Sequence, residues 1–330
     1  MPQKRKIERK NKYNFSDIKV LIIGDLMLDY YLIGEVNRIT PEAPVPVVEI
    51  YKKEGRPGGA ANVALNVHTL GATPILLSVC GNDDSAGRLD TILKNYDIST
   101  DRILVEEGRL TTRKNRIFDE DKLVVRFDEE DTDDLGRETE DRLLQTMEHI
   151  LRQDKPDIIV LQDYNKGVLT KRVIKNVLLL ATKNSIPVTV DPKEKNFFEY
   201  QGVDLLKPNL REVSEALGHR INPKNMEHLK RAAEELRRKT RFKNLIITLG
   251  QHGAFFCNPK NEMGVVPARP IKAADVSGAG DTVISTAALF YFQGIPLRQI
   301  ASLCNKAAGI VCRKVGVAPV HISEMGTVLK

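Results

Sequence analysis

The segment best suited to chemistry is a glycine-rich turn near the carboxyl end of the chain, Asp275-Val-Ser-Gly-Ala-Gly-Asp281-Thr282, which opens a long apolar helix. The small residues Gly278, Ala279 and Gly280 allow the first amides of that helix to point at an anion, and the helix dipole favours negative charge there. Asp281, directly behind them, can accept a proton from a hydroxyl held beside the anion. Phosphoryl transfer needs both features, although an ordinary turn followed by an acid in a first helical turn has the same sequence.

Two further polar clusters lie earlier in the chain. In Gly58-Gly-Ala-Ala-Asn62 the glycines permit close backbone approach, and Asn62 can both donate to and accept from a sugar hydroxyl; a plain turn and helix entry is the alternative. In Gly24-Asp-Leu-Met-Leu-Asp29 two carboxylates follow an apolar run, where they can bind hydroxyls or cap a helix. The chain contains no G-x-x-x-x-G-K-[ST] motif, and Val283 interrupts the dinucleotide glycine pattern.

Apolar runs of strand length alternate with segments of helical spacing along most of the chain. We predict strands at 19–24, 74–80, 157–161, 187–190, 205–206, 244–249 and 253–266, and helices at 60–70, 136–152, 170–183, 210–217, 225–240, 281–292 and 297–314. This order is typical of an α/β fold with a mostly parallel sheet between two helix layers. Two β segments, about 31–54 and 105–128, fall outside the pattern. We expect them to form a small β lid over the carboxyl edge of the sheet, where open α/β sheets bind ligands.

The second lid segment reads as an antiparallel hairpin that turns at residues 119–121. Strand alternation places Lys114 and Arg116 on one face with Thr112, opposite Arg113 and Asn115. Fixed cations of this kind can bind a phosphate carried by a substrate. Alternatively, they pair only with the acids of the turn.

The basic charge of the chain is concentrated at its amino end. The 330 residues carry a net charge of +6, but residues 1–12 alone hold six basic groups and one acid, which leaves +1 for the rest. We expect residues 1–16 to be a disordered tail and residues 17–330 to form one domain; an arm that binds nucleic acid or a membrane surface is the alternative. The four cysteines form no C-x-x-C pair, and no signal peptide or membrane span is evident, which favours a reducing cytoplasm.

Together these clusters resemble the ribokinase-like (PfkB) carbohydrate kinases over roughly residues 17–325. Gly58–Asn62 and Asp275–Asp281 are similar to the two signatures of that family. Arg38-Ile-Thr-Pro-Glu-Ala-Pro-Val-Pro46 and Asp163-Tyr-Asn-Lys-Gly167 resemble a narrower group, the D-glycero-D-manno-heptose-7-phosphate kinases. In the bifunctional members of that group a nucleotidyltransferase with an H-x-G-H motif accompanies the kinase. Because no such pair occurs in this chain, we expect kinase activity alone.

The resemblance implies a ribokinase-like three-layer α/β/α fold and a role for each matching residue. It implies a base and anion hole at Asp281, Gly278, Ala279 and Gly280; sugar contacts at Asp29, Gly58, Gly59, Asn62, Lys114, Arg116, Asp163 and Lys166; and nucleotide contacts at Lys193, Asn209, Glu212, Thr248, Gly250, Gly253 and Asn305. Glu212 would also organise Mg²⁺ through water. The cofactors implied are ATP and Mg²⁺.

The expected reaction is ATP-dependent phosphorylation of a heptose 7-phosphate on its anomeric hydroxyl, as a step toward ADP-heptose and lipopolysaccharide. Phosphorylation of another sugar or sugar phosphate is the alternative within the family. A binding protein that uses its basic tail is the alternative from another class. We expect a homodimer that pairs through the β lid, with no nucleic-acid or membrane partner.

Overall fold

The computed structural model describes residues 13–326, which form one large sheet flanked by helices and one small sheet. The strands are β1 Lys19–Gly24, β2 Leu26–Ile39, β3 Pro46–Gly59, β4 Thr73–Cys80, β5 Ile103–Val105, β6 Arg113–Asp119, β7 Lys122–Glu129, β8 Ile158–Gln162, β9 Val188–Asp191, β10 Leu205–Leu206, β11 Asn244–Thr248, β12 Ala254–Cys257 and β13 Met263–Val266. The helices are α1 Ala60–Thr69, α2 Asp84–Lys94, α3 Arg137–Gln153, α4 Lys171–Lys183, α5 Leu210–Leu217, α6 Met226–Thr240, α7 Ala279–Phe292, α8 Leu297–Val311 and α9 Ile322–Met325. Short 3₁₀ helices span Glu194–Glu199 and Gly250–His252.

The large sheet has the strand order β13-β12-β11-β10-β9-β8-β1-β4-β5. Neighbours from β5 to β11 are parallel, and β12 and β13 add an antiparallel edge. Its two faces are covered by separate cores, as the alternation in β1 illustrates. Val20 and Ile22 pack with α1, α7 and α8, whereas Leu21 and Ile23 pack with α3, α4 and α6. The predicted three-layer α/β/α architecture is confirmed.

The small sheet is the lid, with the strand order β3-β2-β6-β7. It covers 26–59 and 113–129 rather than the predicted 31–54 and 105–128. The difference arises because β2 continues almost directly from β1, while β5 pairs with β4 in the large sheet. Proline-rich residues 40–45 form the turn before β3, and β3 lies at an edge of the sheet, where a strand tolerates Pro46.

Two other segments depart from the expectation. The predicted tail reached residue 16, but Phe15 is 1% exposed and packs edge-on against Phe290, with ring centroids 5.1 Å apart. The strongly basic residues 1–12 lie outside the described residues. Helix α2 was not predicted; Asp83 caps it by accepting from the amide of Ala86 at 2.9 Å. Within residues 13–326 no helix is long and apolar enough to cross a membrane.

Candidate active site

Asp281 lies in the first turn of α7 and is 2% exposed. Its Oδ2 accepts from Asn62 Nδ2 at 2.8 Å, and its Oδ1 accepts from the hydroxyl of Tyr164 at 2.7 Å and from Gln162 Nε2 at 3.2 Å. Burial raises the pKa of this carboxyl to about 6, while the bonds from Asn62 and Tyr164 act in the opposite direction. A carboxylate held by neutral donors, with a pKa slightly below neutrality, is well suited to act as a general base.

Gly278 shapes the backbone directly before this acid. It has φ 74°, and a Cβ at this position would lie 2.8 Å from Nδ2 of Asn62, so both the conformation and the space favour glycine. The first amides of α7 have no acceptors within the helix itself. The amide of Ala279 donates to the carbonyl of Val276 at 3.3 Å, so the cradle that suits an anion beside Asp281 consists of the amides of Gly278 and Gly280.

The inner face of the lid lies on the other side of Asp281 and is rich in charge. Asp29 is 3% exposed and forms a close ion pair with Arg116, and a Cβ on Gly58 would lie 2.3 Å from Oδ2 of Asp29. Lys114 lies opposite Asp29 in the strand register, and Arg126 lies opposite Arg116. Cross-strand partners share a face of a sheet, so these cations project together.

The cations on this face do not pair only with the acids of the hairpin turn, which was the alternative. Arg116 bonds to Asp29, and the turn acid Asp119 accepts from the amide of Val36 at 3.0 Å. On the opposite face Arg113 and Asn115 both donate to Glu129. The alternation predicted for strand β6 is therefore present.

Three residues expected to contact the sugar are engaged elsewhere. Asn62 is fully buried, with its amide nitrogen on Asp281 and its Oδ1 accepting from Asn66. Asp163 is 1% exposed and accepts from the hydroxyl of Tyr200 at 2.6 Å and from an amide of its own loop, and burial raises its pKa to about 7. Lys166 pairs with Glu130 at 2.7 Å. Asn62 and Asp163 are thus buried behind the site, where their side chains bind other protein groups, Asp281 and Tyr200.

A cleft of about 1150 Å³ opens beside the cradle and contains much of the predicted nucleotide site. Asn209 caps α5 by accepting from the amide of Glu212 at 2.9 Å, and Glu212 Oε2 accepts from the amide of Asn209 at 2.7 Å. Glu212 also forms a close ion pair with Lys193. Thr248 and Gly250 lie on the wall shared with a second pocket.

That second pocket, of about 610 Å³, is largely apolar and is lined by the segments 248–253 and 268–276 together with the first turn of α7 and one face of α8. Gly253 and Asn305 belong to its lining, and Asn305 Nδ2 donates to the carbonyl of Val266 at 2.8 Å. An apolar pocket next to a cleft with charged side chains suits the base and the phosphates of a nucleotide. The structure thus brings the predicted nucleotide residues to two adjoining pockets.

The floor of the cleft contains a buried ion pair that the sequence patterns did not predict. Lys207 is 2% exposed and its Nζ lies 2.9 Å from Oδ1 of Asp191. Gln162 Nε2 links this pair to Asp281, because it donates to Asp191 and to Asp281 at 3.2 Å each. The positions of the two residues in the sequence could have predicted the pair. Asp191 ends β9 and Lys207 follows β10, so both lie at the sheet edge where ligands bind.

The carboxylates suit a cation that arrives with the nucleotide. Within residues 13–326 no group of three or more His, Cys, Asp or Glu side chains could hold a metal by itself. Both oxygens of Glu212 already accept from protein donors. Mg²⁺ commonly keeps several waters and binds through one or two carboxylates together with substrate phosphates. Glu212, and Asp191 beside it, fit that mode of binding.

A three-layer α/β fold that holds a buried acid beside a helix amino terminus suits a phosphotransferase with a hydroxyl group as acceptor. Residues 17–323 match the family described as pfkB family carbohydrate kinase. The chain belongs to this family, as the signatures at 58–62 and 275–281 predicted.

Curated relatives support a narrower comparison. The chain is 37% identical over 306 residues to the bifunctional protein HldE of Aliarcobacter butzleri, a match that covers 93% of this chain and 63% of the relative. It is 38% identical over 308 residues to HldE of Nitratiruptor, covering 93% and 64% of the two chains. The chain therefore spans less than two thirds of the length of these relatives.

Solved structures share the fold at low sequence identity. Phosphofructokinase-2 from Escherichia coli, in complex with substrates and products, superposes with a TM-score of 0.76 at 18% identity, covering 93% of this chain and 97% of the other. Arabidopsis thaliana ribokinase, complexed with ribose and ATP, superposes with a TM-score of 0.69 at 15% identity, covering 93% and 97%. The ribokinase-like fold that the resemblance implied is thus confirmed.

Proposed function

We propose that this chain transfers the γ-phosphoryl group of ATP to the anomeric hydroxyl of a heptose 7-phosphate. The observation that carries the proposal is the position of Asp281, between the α7 cradle and the cationic inner face of the lid. The sequence markers at 38–46 and 163–167, and the HldE relatives, support a heptose phosphate as the acceptor.

In this proposal Asp281 accepts the proton of the sugar hydroxyl as its oxygen forms a bond to the γ-phosphorus. The bond from that phosphorus to the β-phosphate oxygen breaks, and ADP leaves with the electron pair. The amides of Gly278 and Gly280 face the negative charge on the transferred group. Bound Mg²⁺ supplies further charge neutralisation on the phosphates. With a pKa of about 6, Asp281 is mostly ionised at neutral pH.

Lys114 and Arg126 are the proposed ligands of the phosphate that the sugar already carries. Burial lowers the pKa of Lys114 because its ammonium is poorly solvated, and a dianion placed beside it would favour the charged form. Arg126 now binds Asp128 through two nitrogens, at 2.9 and 2.6 Å, a geometry that a phosphate can replace. Arg116 has a different role, because it neutralises the buried Asp29.

The first experiment replaces the base. Asp281→Asn should lower kcat by about 10²–10⁴-fold and leave the KM for ATP nearly unchanged, since a positioned general base contributes a factor of this size. Asp84→Asn, on the exposed start of α2, is the matched control. Near-normal turnover by a folded Asp281→Asn protein would exclude Asp281 as the base.

The second experiment compares acceptors: heptose 7-phosphate, fructose 6-phosphate, fructose 1-phosphate and ribose. We expect the heptose phosphate to give the highest kcat/KM, and Lys114→Ala or Arg126→Ala to raise its KM about tenfold or more, as loss of a charge-assisted contact does. Arg113→Ala, on the outer face of the same sheet, should leave that KM unchanged. Preference for ribose would refute a phosphate site on the lid.

We further propose that a second copy of the chain covers the outer face of the lid. Val125 and Phe127 lie on this face, opposite Ile117 and Asn115, and are 45% and 44% exposed, so a lid-to-lid dimer would bury them. The four cysteines are free thiols in the structure, which suits the proposed cytoplasmic location.

A further inference from the structure

Tyr164 lies where the proposed sugar and nucleotide subsites meet. Its hydroxyl donates to Oδ1 of Asp281 at 2.7 Å. Its ring lies between two cations: Nζ of Lys114, from the lid, is 4.9 Å from the ring centroid, and Nζ of Lys193, from the nucleotide side, is 5.3 Å from it. Both distances are within the range of cation–π attraction. The phenol is therefore held by contacts to both subsites and to the base.

The loop that carries Tyr164 is held in place by a buried carboxylate, Asp25. Asp25 is 1% exposed, and its carboxylate accepts the amides of Tyr164, Lys166 and Val168 at 2.7, 3.1 and 3.0 Å. A carboxylate that accepts the amides of three alternate residues in one loop fixes the loop backbone and therefore the directions of its side chains. The orientation of Tyr164 is thus set by the loop as well as by its hydroxyl bond.

The hydrogen bonds around Asp281 make its two oxygens unequal. A carboxylate oxygen has two lone pairs. On Oδ1 both are used, by Tyr164 and Gln162, whereas Oδ2 accepts from Asn62 alone among the described residues. Oδ2 therefore keeps a lone pair for an incoming hydroxyl. The hydrogen bond from Tyr164 also stabilises the ionised form of Asp281.

We propose that Tyr164 is a positioning residue for Asp281: it holds Oδ1, keeps the carboxylate ionised and presents Oδ2 to the acceptor hydroxyl. This role rests on the proposed function of Asp281 as the base. The pKa of Tyr164 is raised well above its usual value by burial and by the neighbouring carboxylates, so the phenol remains a donor throughout the working range of pH.

The test is the pH dependence of kcat/KM for Tyr164→Phe, a change that keeps the ring between the lysines and removes only the hydroxyl. In the unmodified protein the acid limb should lie near the Asp281 pKa of about 6. Loss of a hydrogen bond to the charged form should move that limb upward by about one pH unit. Activity should fall about tenfold below pH 6 and return to within a few-fold of normal near pH 9.

Tyr200→Phe is the matched control, because it removes a phenol hydroxyl that donates to a different buried carboxylate, Asp163. It should lower the melting temperature without moving the acid limb. An unmoved limb in Tyr164→Phe, or an equal loss of activity at every pH, would overturn the positioning role. So would a raised KM for the sugar with an unmoved limb, which would place the hydroxyl on the substrate. If the unmodified protein phosphorylates no sugar, the proposed function itself fails, and this role fails with it.

Discussion

Replacing Lys207 by Met should destabilise the fold strongly. Lys207 and Asp191 are 2% and 5% exposed, and their charged atoms lie 2.9 Å apart. Removing one partner of a buried ion pair leaves the other charge uncompensated, which costs about 3–5 kcal/mol of unfolding free energy. Asp191 would retain only the bond from Gln162 at 3.2 Å. Lys207→Met should therefore lower the free energy of unfolding by about 3–5 kcal/mol.

The expected shift in melting temperature follows from the size of the chain. Unfolding entropy of about 2.1 cal/mol/K per residue, over 330 residues, amounts to about 0.7 kcal/mol/K. A loss of about 3–5 kcal/mol thus lowers the melting temperature by about 4–7 °C. Thermal and urea denaturation, followed by circular dichroism, measure this change in the unmodified and variant proteins.

The matched control is Lys243→Met. Lys243 pairs with Asp204 at 2.7 Å, but its side chain is 59% exposed, so solvent screens the pair and its loss should cost about 0.5 kcal/mol or less. The two pairs differ mainly in burial. If Lys207→Met cost less than about 1 kcal/mol, or no more than Lys243→Met, the reasoning from burial would be refuted.

The layers of the fold could be predicted because their sequence periods are strong. Strand β1 is apolar on both faces, and α7 carries only uncharged residues after Asp281 and is buried on all sides, so each had one plausible place in a sandwiched sheet. Helix α2 was missed because its buried face consists only of Ser85, Leu89 and Leu93, among charged residues. The cap at Asp83 was the remaining local signal.

The site was predictable as a set of motifs but not as a network of contacts. The position of Asp281 behind a glycine turn is a local pattern. Its bond to Asn62 joins residues 219 apart in sequence, and the ion pair of Asp29 with Arg116 joins residues 87 apart. No local spacing encodes such pairs, because they depend on how β2, β6, α1 and α7 meet. That is why the sequence predicted substrate contacts for Asn62 and Arg116 but not their bonds to Asp281 and Asp29.

Two further predictions concern the anion cradle and the lid. Gly278→Ala should lower kcat about tenfold, because alanine is strained at a φ of 74° and its Cβ would press against Asn62. Gly202→Ala is the control: its φ of 71° is similar but the space around it is open, so kcat should not change. Equal kcat in the two variants would argue against a shaped cradle. Phe127→Asp should convert the proposed dimer to monomer in sedimentation at micromolar concentration, because it places a charge in the centre of the apolar outer face of the lid. Leu179→Asp, on the surface of α4, where Leu179 is 59% exposed against 44% for Phe127, should leave the assembly unchanged; an unmodified protein that is already monomeric would refute pairing through the lid.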